Sequence, residues 1–115
     1  MGRIMREVVK VYPSAWVFKV VGSPYQMSGV PDLLLSVHGV LIGLEVKHQR
    51  PGESTETAFS RASPRQMYQL QQISKSGAYG AVVLTVESAM FAIAQALEEH
   101  ARLWQGVVPT GESSK

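Results

Sequence analysis

The chain has 115 residues and no cysteine, which suits one domain held by packing and excludes disulfides, thiolate metal sites and cysteine nucleophiles. Hydrophobic residues make up 45% and charged residues 17%, the balance of a globular protein, and no apolar run is long enough to cross a bilayer. The net charge is +2, but residues 1–75 hold nine Lys or Arg against five acids and residues 76–115 hold two against four. That imbalance gives the first part a basic surface that either attracts phosphates or is simply solvated. The N-terminus lacks the apolar core of a signal peptide, so cytosolic residence and no membrane association are expected.

Gly2 to Tyr12 predicts a short helix, with Ile4, Val8 and Val11 on one stripe and Pro13 stopping it. Glu7 borders that stripe, and either points inward or pairs at the surface with Arg3 or Lys10. Ala15 to Val21 alternates Trp16, Phe18 and Val20 against Val17, Lys19 and Val21, the pattern of a first strand. Gly22 to Gly29 is a loop by composition, and Ser28-Gly29 lets the backbone approach closely just before Asp32. Tyr25 and Gln26 in that loop either touch a substrate or pack on the surface.

Leu33 to Val37 and Val40 to Val46 are β-prone runs separated by His38-Gly39, which predicts a hairpin with a two-residue turn. Counting outward from the pair Val37 and Val40 sets Asp32 opposite Glu45. One ribbon face then carries Leu33, Leu35, Val37, Val40, Ile42, Leu44 and Val46 and must be core. The other carries Asp32, Leu34, Ser36, Leu41, Gly43, Glu45 and Lys47. Opposed Cβ atoms lie about 5 Å apart. Two carboxylates at that range repel by about 3 kcal/mol at an effective dielectric near 20. Lys47 supplies one compensating charge, and a hard divalent cation, Mg²⁺ or Mn²⁺, would neutralise the pair more fully. An ordinary cross-strand ion-pair cluster is the competing reading, and a bulge near Gly43 would break the register.

Residues 48–62 show no apolar period and are rich in Pro, Gly, Ser, Thr, Glu and Arg, so a mobile loop is expected after the second hairpin strand. Arg50 and Arg61 in it either clamp phosphates or stand in solvent; alternation turns His48 away from Lys47. Ser63-Pro64-Arg65-Gln66 has the form of a helix start, with Gln66 placed to complete a capping box. That helix carries Met67, Leu70, Ile73 and Ser74 on one side and ends at Gly77. Tyr79 to Val86 predicts a strand buried on both faces and reached by a helical crossover. A last helix from Ser88 to Trp104 shows Phe91, Ala94, Leu97 and Ala101 on one stripe, with Met90 and Ile93 adjoining. Met90, Leu103 and Trp104 are core or a partner surface. The domain is expected to span 1–106, with 107–115 as a flexible tail.

Gly29-Val30-Pro31-Asp32 followed by Glu45-Val46-Lys47 resembles the signature of the PD-(D/E)XK nuclease superfamily, and with Ser63-Pro64-Arg65-Gln66 downstream it resembles the virus-type replication-repair nuclease (VRR-NUC) branch. The resemblance runs from about Glu7 to about Val86. It implies an α/β fold with a restriction-endonuclease-like core, in the order α-β-β-β-α-β-α around a mixed central sheet flanked by helices. It implies a Mg²⁺-dependent DNA endonuclease, with Mn²⁺ as substitute. Asp32, Glu45 and the Val46 carbonyl would hold the metal, and Glu7 would ligate it directly or through water. Lys47 would activate water, and Gln66 would face the centre, with Gln69 one turn along. Ser28, Gln26, Arg50, Arg61, Arg65 and Gln69 would contact nucleic acid. Stand-alone members of that branch imply cleavage of branched, four-way DNA by a homodimer. A flap or non-specific endonuclease and a catalytically inactive DNA-binding module are the alternatives.

Overall fold

A computed structural model of the chain describes residues 1–22 and 27–103. The His38-Gly39 turn organises it. Both residues take positive φ, 52° and 80°, which twists the turn to match the flanking strands, β2 (Leu33–Val37) and β3 (Val40–Val46). They pair antiparallel from Val37↔Val40 to Leu33↔Leu44, the register counted from the turn, with no bulge at Gly43. The first strand, β1 (Trp16–Lys19), is shorter than its alternating segment and pairs antiparallel with β2; β4 (Tyr79–Val83) pairs parallel with β3. The sheet order is β1-β2-β3-β4.

Two helices cover one face of this mixed sheet, α1 (Gly2–Val11) and α4 (Val86–Leu103). The core lies between them and the apolar side of the hairpin: Leu33, Leu35, Val37, Val40, Ile42 and Leu44 meet Ile4, Val8, Ala89, Ile93 and Ala96. A third helix, α3 (Pro64–Lys75), lies on the other face, over β3 and β4. It can come close because the sheet offers it two glycines side by side. A Cβ on Gly43 would meet Ile73 at 3.1 Å, and one on its ladder partner Gly80 would meet Leu70 at 3.0 Å. The order is thus α-β-β-β-α-β-α with one short helix added.

That added helix corrects the reading of 48–62 as a structureless loop. Thr55–Ser60 forms α2, capped by the Ser54 hydroxyl, which accepts from the Thr57 N–H at 3.1 Å, and anchored by the buried Ala58. Arg61 ties the segment back on itself, pairing with Glu53 and donating to the His48 carbonyl. Two further expectations are corrected. β4 is an edge strand with only Val83 buried, because among the described residues nothing pairs beyond it in the sheet. In α4 the buried stripe is Ala89, Ile93 and Ala96, and Phe91 is 65% exposed: small side chains let the helix settle on the sheet, and the large ring turns outward. Ala94 and Ala101 are exposed with it, and so is half of Met67 in α3. Among the described residues no helix is long and apolar enough to cross a membrane.

Candidate active site

At the open end of the hairpin, just past the last ladder pair Leu33↔Leu44, Asp32 and Glu45 stand on adjacent strands on the α3 side of the sheet. Asp32 is fixed by the backbone itself: the Val46 N–H donates to its Oδ2 at 2.8 Å. Its own carbonyl accepts from the Val20 N–H at 2.9 Å, which extends the β1 pairing to the level of the acid.

Glu45 is 2% exposed, the single buried charged residue among those described. Its Oε2 accepts from Gln66 Nε2 at 2.7 Å and lies 3.5 Å from Lys47 Nζ. Its Oε1 is buried with no hydrogen-bond partner. Burial, and then the neighbouring Asp32 carboxylate, push the Glu45 pKa up from 4.5 to about 7, against the opposing pull of Lys47. A buried carboxylate with one oxygen unsatisfied, beside a second carboxylate, is short of positive charge. The donor set is hard oxygen, which fits Mg²⁺ or Mn²⁺.

Gln66 resolves the two roles open to it by filling both. Ser63 caps α3 by accepting from the Gln66 N–H at 3.1 Å, and Gln66 Oε1 returns the bond from the Ser63 N–H at 2.8 Å. The amide nitrogen of the same side chain remains for Glu45. A capping box therefore aims its glutamine at the carboxylate. The preceding loop is packed on this helix start. Gly29, at φ +85°, lies so near Arg65 that a Cβ there would fall 2.6 Å from the Arg65 carbonyl oxygen. That contact, invisible in the residue pattern beyond a glycine before Val-Pro-Asp, locks Asp32 and Gln66 to one another.

Ser28 lines a depression of about 220 Å³ with Gly22, Val30 and Asp32, so it stands beside the site. Arg65 is exposed at the start of α3, and half-buried Gln69 follows one turn on. Two expected contributors stand elsewhere. Glu7, half-buried, lines a depression with Arg3, Arg6, Lys10 and Val86, and among the described residues no three His, Asp or Glu side chains gather to hold a metal. The Arg61 guanidinium is committed to Glu53 and His48 and braces its own segment, whereas Arg50 is exposed, with its backbone N–H bound to the Glu53 carboxylate at 2.8 Å. Gln26, Tyr25 and Trp104 lie outside the described residues, as does the tail from 107.

No protein-family model matches the sequence, and no curated protein does. Among solved structures, one described as a VRR_NUC domain is similar with a TM-score of 0.54 and 24% identity, covering 81% of this chain and 92% of that one. A second, a VRR_NUC domain protein, has a TM-score of 0.51 and 19% identity, over 84% of this chain and 87% of that one. Strand order, the three-layer arrangement and these superpositions agree: the chain has the fold of a VRR_NUC domain.

Proposed function

We propose that this protein is a divalent-metal-dependent endodeoxyribonuclease of the PD-(D/E)XK type that hydrolyses phosphodiester bonds in branched DNA, four-way junctions foremost, as a soluble cytosolic homodimer. One observation carries the reading: a buried glutamate with an unsatisfied oxygen, facing an aspartate across a hairpin, with a lysine 3.5 Å away. Asp32, Glu45 and the Val46 carbonyl would hold Mg²⁺, which when bound neutralises the two acids, polarises the phosphoryl group and eases deprotonation of water. Lys47 orients the attacking water and offsets the charge that builds on the phosphoryl oxygens. Water adds to phosphorus, the bond to the leaving oxygen breaks, and that oxygen takes up a proton. Gln66 holds the Glu45 carboxylate in one orientation throughout, through its bond to Oε2. Arg65, Ser28 and Gln69 supply contacts to the strand at the mouth of the site, and Glu7 joins only if α1 shifts toward the acids.

Cutting a four-way junction symmetrically takes two sites related by a two-fold axis, which is the reason for the dimer. The test is cleavage of synthetic four-way, flap, fork and linear duplex DNA with Mg²⁺ and with EDTA. Paired, Mg²⁺-dependent incisions at the four-way junction are the expected result. Preference for flaps would move the reading to a flap endonuclease, and DNA binding without cleavage in Mg²⁺ or Mn²⁺ would overturn the hydrolytic role.

A further inference from the structure

The sheet face that carries the two acids is only half covered. α3 shields the acid end of β3 and β4, whereas Trp16 and Phe18 on β1 and Leu41 at the turn end of β3 stay 54%, 49% and 46% exposed. The register puts them on the acids' face: Trp16 opposes Ser36, which opposes Leu41, and Phe18 opposes Leu34, which opposes Gly43, two residues before Glu45. The Trp16 and Phe18 rings are parallel within 1°, with centroids 5.7 Å apart. Val20 continues β1 to the level of Asp32. Phe18 is therefore one alternate-residue step, about 6.6 Å, along the strand and one strand spacing across from Asp32, or roughly 8 Å in all.

From this placement we propose that Trp16 and Phe18 form a stacking platform for unpaired bases next to the phosphate being cut; the proposal rests on the nuclease reading above. Half-exposed aromatic rings side by side on a sheet are a surface on which bases stack irrespective of sequence. The charges are divided to suit a nucleotide chain. The platform has no ionised side chain, fitting the π-face of a base, while Lys47 and Arg65 stand at the acid end where the phosphates would lie. A second copy of the chain is the other possible occupant. Three half-exposed side chains offer on the order of 300 Å², against roughly 800 Å² per partner in a stable interface. The substrate class so defined is DNA with single-stranded nucleotides flanking the scissile bond, as at an opened branch point.

The chain has two tryptophans, so Trp104→Phe leaves Trp16 as the sole indole reporter. Its emission would be followed in EDTA, where no cleavage occurs, during titration with an oligothymidylate and with a blunt duplex of equal length. Saturable quenching by the single strand is expected. In anisotropy titrations of fluorescein-labelled strands, Trp16→Ala and Phe18→Ala, checked for unchanged circular dichroism, should each weaken single-strand binding between about 5- and 100-fold, with under twofold change for the duplex. Unquenched emission, or unchanged single-strand affinity in both alanine variants, would overturn the platform. So would emission that follows protein concentration alone alongside a doubled sedimenting mass, which would give the surface to a second copy. Cleavage of four-way DNA by the unmodified protein is scored separately. Cleavage with a silent Trp16 sinks the platform alone, whereas quenching without cleavage upholds the platform and sinks the hydrolytic reading.

Discussion

Replacing Glu45 with glutamine should make the metal-free protein more stable, because the fold holds that carboxylate at a cost. Its pKa rises from 4.5 to about 7 on folding, so the folded protein binds the proton more tightly than the unfolded chain does. The stability contributed by that proton is present in full below about 4.5 and is lost as pH rises through about 7. The whole difference corresponds to about 3 kcal/mol. Glutamine keeps the shape without the charge, can still accept from Gln66 and can donate to Asp32. In EDTA the two proteins should therefore melt together near pH 4.5. By pH 8 the unmodified protein should fall behind by about 3 kcal/mol, on the order of 10 °C in Tm for a domain of this size. Mn²⁺ should close or reverse that gap at pH 8, since the ion stabilises only the chain that can ligate it. Thermal melts of both proteins across this pH range, with EDTA and with Mn²⁺, measure the effect. Melting curves that stay parallel from pH 4.5 to 8 would refute the reasoning.

Lys47→Ala should retain DNA and metal binding and lose most turnover on a four-way junction; equal cleavage by the variant would remove Lys47 from the reaction. Ser63→Ala and Gln66→Ala both disrupt the α3 cap, at about 1 kcal/mol each, but only the second removes the bond to Glu45. Cleavage should fall by on the order of tenfold in the glutamine variant and stay near normal in the serine variant, and equal losses would assign Gln66 to the helix alone. Gly29→Ala forces a side chain onto positive φ and against the Arg65 carbonyl, so urea denaturation should show a loss of about 1–3 kcal/mol. An unmoved midpoint would show that the loop and α3 are not in close contact.

The site was legible wherever short-range chemistry fixes long-range geometry. A two-residue turn has one register, so His38-Gly39 was enough to set Asp32 against Glu45 fourteen positions from Val46, whose N–H holds it. The Ser63 cap was equally readable, but the pattern offered two uses for Gln66 and no reason that one amide should serve both at once. What failed to show was structure carried by small or few side chains. α2 spans six residues and is held by a single buried alanine, too little to mark an apolar period. The stripe of α4 runs through Ala89 and Ala96, whereas size drew the eye to Phe91. An apolar strand such as β4 reads the same at an edge as at the centre, because its neighbours are chosen by topology and not by its own composition. Arg61 was readable as a cation but not as the partner of Glu53, which lies in the same segment.

The paired glycines under α3 give this arrangement a mechanical character. Two absent methyl groups, one on each of two neighbouring strands, set the height at which the helix rides, and that height sets the reach from the glutamine amide to the acid. An alanine at Gly80 would act as a shim against the Leu70 side chain and backbone, and one at Gly43 would press on Ile73 and on Pro31, the neighbour of Asp32, so that each nudges the amide and the acids out of alignment. The alignment of the candidate site is thus governed from the floor of the sheet, by atoms that are not there.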